Sequence, residues 1–172
     1  MTHRMFVLIL ALLAAQSVSV QAATPKIDGA FGIKLGDTPS HEYRPGKVQT
    51  NVGILYFIEP PIKNEHFNEY AVLTTKSTNK IYSIYAEKEQ KTAKCQEELL
   101  KVKQSLEKLY GNLSVQDGIH AIKQDKREIS LTCKISTINK DDASLQIKYV
   151  DHQIYEDSLD KTDPNRRDAS GL

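Results

Sequence analysis

Catalysis and metal binding need reactive side chains at spacings that a fold can bring together, and this chain of 172 residues groups few of them. Its five histidines, His3, His41, His66, His120 and His152, show neither HxxxH nor HExxH spacing, so no zinc signature is present. Asp151-His152 comes closest to an acid/base pair, with His120 as a third weak candidate. Adjacent residues of a strand point to opposite faces, which weighs against a dyad there. A GxSxG elbow is absent. Gly29, Gly32 and Gly36 match neither GxGxxG nor GxxxxGK[ST] and read as turn residues. Asp141-Asp142 and the acidic stretch 160–163 lack the alternating ligands and central glycine of a calcium loop. Asn112-Leu113-Ser114 has the form of a glycosylation sequon, which matters only in a eukaryotic host. The expectation is therefore no catalytic residues, no metal site and no cofactor.

Two residue types remain. Cys95 and Cys133 are the only cysteines. Cys95, Leu99, Val102, Leu106 and Leu109 recur at steps of four, three, four and three, one face of a helix. Ile129, Leu131, Cys133 and Ile135 alternate with polar residues, the period of a strand with one buried face. Both cysteines then face a core, as a disulfide in an oxidising compartment or as buried thiols; the matching faces favour the disulfide. Closing a loop of about 39 residues would stabilise the fold by about 4 kcal/mol in the chain-entropy account. Tyr43, Tyr56, Tyr70, Tyr82 and Tyr85 crowd the first half of the chain. They offer a binding surface for a protein or a sugar ring if exposed, or fill a core that has no Trp.

The elements that would carry these residues follow from periodicity and punctuation. Residues 27–37 read as a short strand bounded by glycines, with Phe31, Ile33 and Leu35 on one side. Residues 38–47, with Pro39, Pro45 and Gly46, read as a loop. Val52 to Ile58 is a strand that Pro60-Pro61 stops. Tyr70–Lys76 and Lys80–Lys88 form a hairpin over Ser77-Thr78-Asn79, and the mixed faces of the second strand place it centrally. One long helix, Ala93–Tyr110, starts at Thr92 as N-cap and stops at Gly111-Asn112; it is about 27 Å long. Strands at 119–124, 127–137 and 143–151 follow, separated by Asp/Gly/Asn turns. Leu73-Thr74-Thr75-Lys76-Ser77-Thr78-Asn79-Lys80 has an echo in Leu131-Thr132-Cys133-Lys134-Ile135-Ser136-Thr137-Ile138-Asn139-Lys140, which aligns once two isoleucines are inserted. Shared composition of strand ends accounts for it without duplication. The order strands, helix, strands gives an α+β fold with a largely antiparallel sheet of about six to seven strands.

The first 22 residues form a separate unit: Arg4, an apolar stretch from Met5 to Ala15, then small and polar residues ending Val20-Gln21-Ala22. That is a cleaved secretory signal, cut after Ala22 or Ala23, and too short to span a bilayer. Residues 23–155 then form a single α+β domain, and 156–172 a polar, flexible tail. With 23 Lys+Arg against 22 Asp+Glu, the chain has no basic excess for nucleic acid. The expected address is periplasmic or secreted, without stable membrane insertion.

Phe31-Gly32-Ile33-Lys34-Leu35-Gly36-Asp37, Lys80-Ile81-Tyr82-Ser83-Ile84-Tyr85-Ala86, the helix from Cys95 to Leu109-Tyr110-Gly111, Leu131-Thr132-Cys133 and Leu145-Gln146-Ile147-Lys148-Tyr149-Val150-Asp151 together resemble small exported bacterial proteins of uncharacterised function. The resemblance implies the architecture and the periplasmic address, and carries no catalytic residues. The functional expectation is a non-catalytic module that binds another envelope protein, as an inhibitor or immunity-like factor does. A binder of a small ligand or peptidoglycan fragment through the tyrosines is the alternative.

Overall fold

The computed structural model describes residues 24–40, 48–50 and 53–162; the leader, His41, Tyr43 and the tail beyond 162 lie outside them. The fold is α+β, as the pattern predicts. A two-stranded ribbon, β1 (Gly29–Ala30) and β2 (Ile33–Lys34), precedes an eight-stranded sheet. Its first half is β3 (Val48–Gln49), β4 (Ile54–Phe57), β5 (Glu69–Thr74) and β6 (Ile81–Lys91), followed by α1 (Thr92–Tyr110). Its second half is β7 (Ser114–Gln116), β8 (Ile119–Gln124), β9 (Arg127–Ile135) and β10 (Asp142–Asp151), followed by α2 (His152–Thr162). The order across the sheet is β3-β4-β5-β6-β10-β9-β8-β7, with every pairing antiparallel. The two edge strands, β3 and β7, have two and three residues, too few for a period of two to register in sequence.

The chain thus walks inward from each edge, and its two last strands meet at the centre in nine pairs from Ser83↔Val150 to Lys91↔Asp142. Each walk ends in a helix. The start of α1 reaches the β9–β10 turn, where the Thr92 N–H donates to the Asp141 carbonyl at 2.8 Å. The body of α2 reaches the β5–β6 turn: Ile154, Asp157 and Ser158 share a small hollow with Thr78 and Lys80. Each helix meets the hairpin of the other half. The sequence echo falls on the same hairpin of each walk, third strand into fourth, so position in the fold, and not composition alone, relates its two copies.

One face of the sheet carries the core. Tyr70 and Val72 of β5, Ile84 and Ala86 of β6, Leu145, Ile147 and Tyr149 of β10 and Ile129 and Leu131 of β9 pack against Cys95, Leu99, Val102 and Leu106 of α1. Burial of each large apolar side chain there contributes about 1.5–3 kcal/mol. A register shift at Leu73/Thr74 explains the mixed faces of β6: Ile81 and Ile84 both join the core, and Tyr82 is buried outside it. Leu109, expected on the buried face of α1, is 54 % exposed. Leu113 joins the core instead, after Gly111 turns the chain at φ 94°. Thr92 is not the N-cap either. Lys91 holds that place without a side-chain bond to the helix's own N–H groups, and Thr92 bonds to the neighbouring hairpin.

The termini depart furthest from expectation. Residues 29–34 form a hairpin and not one strand, because Phe31 and Gly32 both take positive φ, 56° and 79°. Gly32 does so freely, whereas the left-handed region costs Phe31 roughly 1–2 kcal/mol. Its ring recovers that by meeting Tyr70, Phe67 and Tyr149 edge-on at centroid distances of 5.1, 6.0 and 6.2 Å. At the other end, the start of the expected tail is helical. Asp151 caps α2 by accepting the Ile154 N–H at 3.0 Å, a signal that the polar composition of 152–162 concealed. The same carboxylate takes Arg127 Nε at 2.8 Å, and Arg127 Nη1 donates to the Ile27 carbonyl. No helix among the described residues is long and apolar enough to cross a membrane.

Candidate functional site

The residues singled out for acid/base chemistry do not converge. His120 pairs with Leu131 and Asp151 with Arg127, four residues apart along β9, or about 13 Å. Asp151 is committed to Arg127 and the α2 cap, and His152 Nε2 lies 3.4 Å from Glu128. Among the described residues no group of three or more His, Cys, Asp or Glu is placed to hold a metal ion. The tyrosines do not form one surface. Tyr70 and Tyr82 are buried, and Tyr56 and Tyr85 sit on opposite faces of the sheet, opposite Val72 and Ala71 respectively. Burial, with the neighbouring Tyr155 second, pushes the Tyr82 phenol up to about 12. On the face away from α1, Glu87 Oε2 gathers the Tyr85 hydroxyl, Ser144 Oγ at 3.0 Å and Gln146 Nε2 at 3.1 Å. Burial and that carboxylate both hold the Tyr85 phenol in its protonated form.

Cys95 and Cys133 are bonded, with Cα atoms 5.9 Å apart, as their faces predict. The bond ties the first turn of α1 to the end of β9 and thereby braces the β9–β10 hairpin. The hairpin is held at its turn as well. Ser136 N–H donates to the Asp142 carbonyl at 2.8 Å, and the N–H groups of Ile138 and Asn139 both point to Ser136 Oγ. Asn139 receives the Asp141 N–H and donates from its amide to Asp142 at 2.7 Å. From outside the turn, Thr92 Oγ1 donates to the Lys140 carbonyl at 2.8 Å and Lys91 Nζ meets Asp142 Oδ1 at 2.6 Å. Lys91 also draws the Asp142 carboxyl below the usual carboxylate range.

On this fixed frame Ile138 is 97 % exposed and Ile135 48 %. A hollow of about 750 Å³ opens beside the turn end of the hairpin, between Glu89, Lys91, Lys134, Ile135, Asp142 and Ser144. Ile138 is the most exposed large apolar side chain among the described residues.

A second hollow, about 330 Å³, lies between α1 and the segment 64–67, lined by Phe31, Phe67, Val102, Leu106, Leu109 and Tyr149. At its rim His66 stands 4.0 Å from Glu98, a buried carboxylate that also meets Lys88 at 3.6 Å and Gln90 Nε2 at 3.4 Å. The size and lining suit a compact apolar ligand.

Comparison of the chain with models of known families, with characterised proteins and with solved structures gives no match. The site therefore stands on its own geometry. The signal for it in the sequence was the pair of isoleucines that interrupts the echo.

Proposed function

We propose that this protein is an exported, non-catalytic module that binds another protein outside the cytoplasm, as an inhibitor or immunity-like factor does, and that the β9–β10 hairpin is its contact element. The observation that carries the reading is Ile138: an apolar side chain in full solvent on a turn fixed by a disulfide and a hydrogen-bond network. Such preorganisation lowers the ordering cost of association, which is what an anchor residue needs. The leader-like residues 1–22 and the disulfide support a periplasmic or secreted address. The near balance of charge supports a partner chosen by shape and apolar fit more than by bulk electrostatics.

Site-specific photocrosslinking of the full chain in its native envelope tests this. A crosslinking residue at 138 should capture one protein reproducibly, while the same residue at Asp117, on the exposed β7–β8 turn, should not. Equal capture from both positions, or none from any surface position, contradicts the reading.

The alternative, a small-ligand binder, gains support from the aromatic-lined hollow beside Phe31 and none from Tyr56, Tyr70, Tyr82 or Tyr85. Saturable binding of a simple aromatic probe such as indole, abolished by Ser105→Trp at the hollow's wall, would favour it.

A further inference from the structure

The two echoing hairpins differ in what they add to a common frame. Residues 73–80 read LTTKSTNK and residues 131–140 read LTCKISTINK; the second has every residue of the first except Thr75, where Cys133 stands, plus Ile135 and Ile138. Both join the third and fourth strands of their half-sheets, and both are met by the helix of the other half. The first turn is polar and closed on itself, with Thr75 Oγ1 2.7 Å from Thr78 Oγ1 and Thr74 Oγ1 donating to Asn79 Oδ1 at 3.2 Å. The protein therefore contains its own reference for what such a hairpin needs in order to fold. Relative to it, the second carries Ile138 in full solvent, Ile135 half exposed, and a cysteine that fastens the strand beneath them.

The charges around these isoleucines are not symmetrical. Lys134 and Lys140 bracket them and are exposed, with no carboxylate at ion-pair distance among the described residues, whereas Lys91 and Asp142 neutralise one another. Asp141 on the turn and Glu89 across the hollow are the further charges, and neither is at ion-pair distance from Lys134 or Lys140, so both lysines are left open to a partner's carboxylates. We infer that the second hairpin docks Ile138, with Ile135 beside it, into an apolar slot on another protein whose rim presents carboxylates to Lys134 and Lys140. The inference rests on the protein-binding reading above and deepens it. A membrane surface fits the tip less well, because two lysines beside Asp141 and Glu89 fall short of the basic cluster that an anionic bilayer selects. A rigid turn also suits a preformed slot better than a fluid interface.

The test uses the full exported chain and the protein captured from position 138. The captured peptide should be apolar with Asp or Glu within a few residues, and a crosslinker at Thr78, the tip of the first hairpin, should capture nothing. Against that purified protein, I135T/I138S should weaken binding at least tenfold. K134E/K140E should slow association at low salt, with the difference shrinking as salt rises. Both doubles change exposed side chains, so matched thermal melts exclude misfolding. A captured peptide without carboxylates, wild-type affinity in either double, or binding to phosphatidylglycerol vesicles in place of protein would overturn the inference. Capture from other surface positions but not from 138 would remove the hairpin and leave the protein-binding reading standing; capture from none would remove that reading.

Discussion

Thr92 Oγ1 donates to the Lys140 carbonyl at 2.8 Å, so the first residue of α1 is bound to the turn of a hairpin nearly fifty residues away. Its N–H makes a second bond, to Asp141. Thr92→Val keeps the shape and the backbone bond and removes the hydroxyl. We expect a loss of about 0.5–1.5 kcal/mol in stability. Hydrogen exchange should quicken at 136–142 while the amides of 99–106 stay protected, and equal quickening in both regions would refute the link.

The Cys95–Cys133 bond spans 38 residues, and in the chain-entropy account its removal costs about 4 kcal/mol. Because Cys95 is fully buried, reduction should follow unfolding rather than precede it. Denaturant curves of Cys95→Ala/Cys133→Ala against the oxidised protein measure the cost. A shift under 1 kcal/mol would show that packing of α1 on β9 and β10 suffices without the bond.

Asp151→Ala removes three things together: the partner of a largely buried Arg127, the cap of α2 and, through Arg127, the tether on Ile27. The expected cost is about 3–5 kcal/mol, because the guanidinium is left uncompensated. Limited proteolysis should open the chain near residues 25–27 before the sheet. Double substitution with Arg127→Met should recover part of the loss.

Alkaline stability follows from the phenols. Tyr82 holds its proton up to about 12, and burial likewise keeps Tyr85 and Tyr149 protonated beyond the ordinary tyrosine range. Unfolded tyrosine ionises near pH 10. The folded state therefore retains protons that the unfolded state releases, and stability present below pH 10 falls as pH climbs toward 12. Denaturation midpoints at pH 9, 10 and 11 should decline in that order. Tyr82→Phe should flatten the decline.

The sheet, the long helix and the disulfide were legible because amphipathic periods and the Cys95 and Cys133 faces reflect the same burial that organises the core. What escaped did so for identifiable reasons. The turn at Phe31 looked like strand because a bulky residue seldom takes positive φ, and only contacts with Phe67, Tyr70 and Tyr149 make it tenable. Helix α2 hid behind polar residues because its start is set by the Asp151 cap more than by an apolar stripe. The tyrosines were conspicuous by type, yet exposure depends on register, and the shift at Leu73/Thr74 buried Tyr82. Ile135 and Ile138 were visible as insertions, but only the fold reveals that Ile138 stands in full solvent and Ile135 half in it.

If Ile135 and Ile138 serve a partner, they are surplus to folding. Equilibrium denaturation of I135T/I138S beside the wild type measures this. The midpoint and slope should be unchanged within about 0.5 kcal/mol, as expected for surface positions outside the core cluster. A loss of 2 kcal/mol or more would mean that the isoleucines support the hairpin itself, and would contradict the claim that they are displayed for a partner.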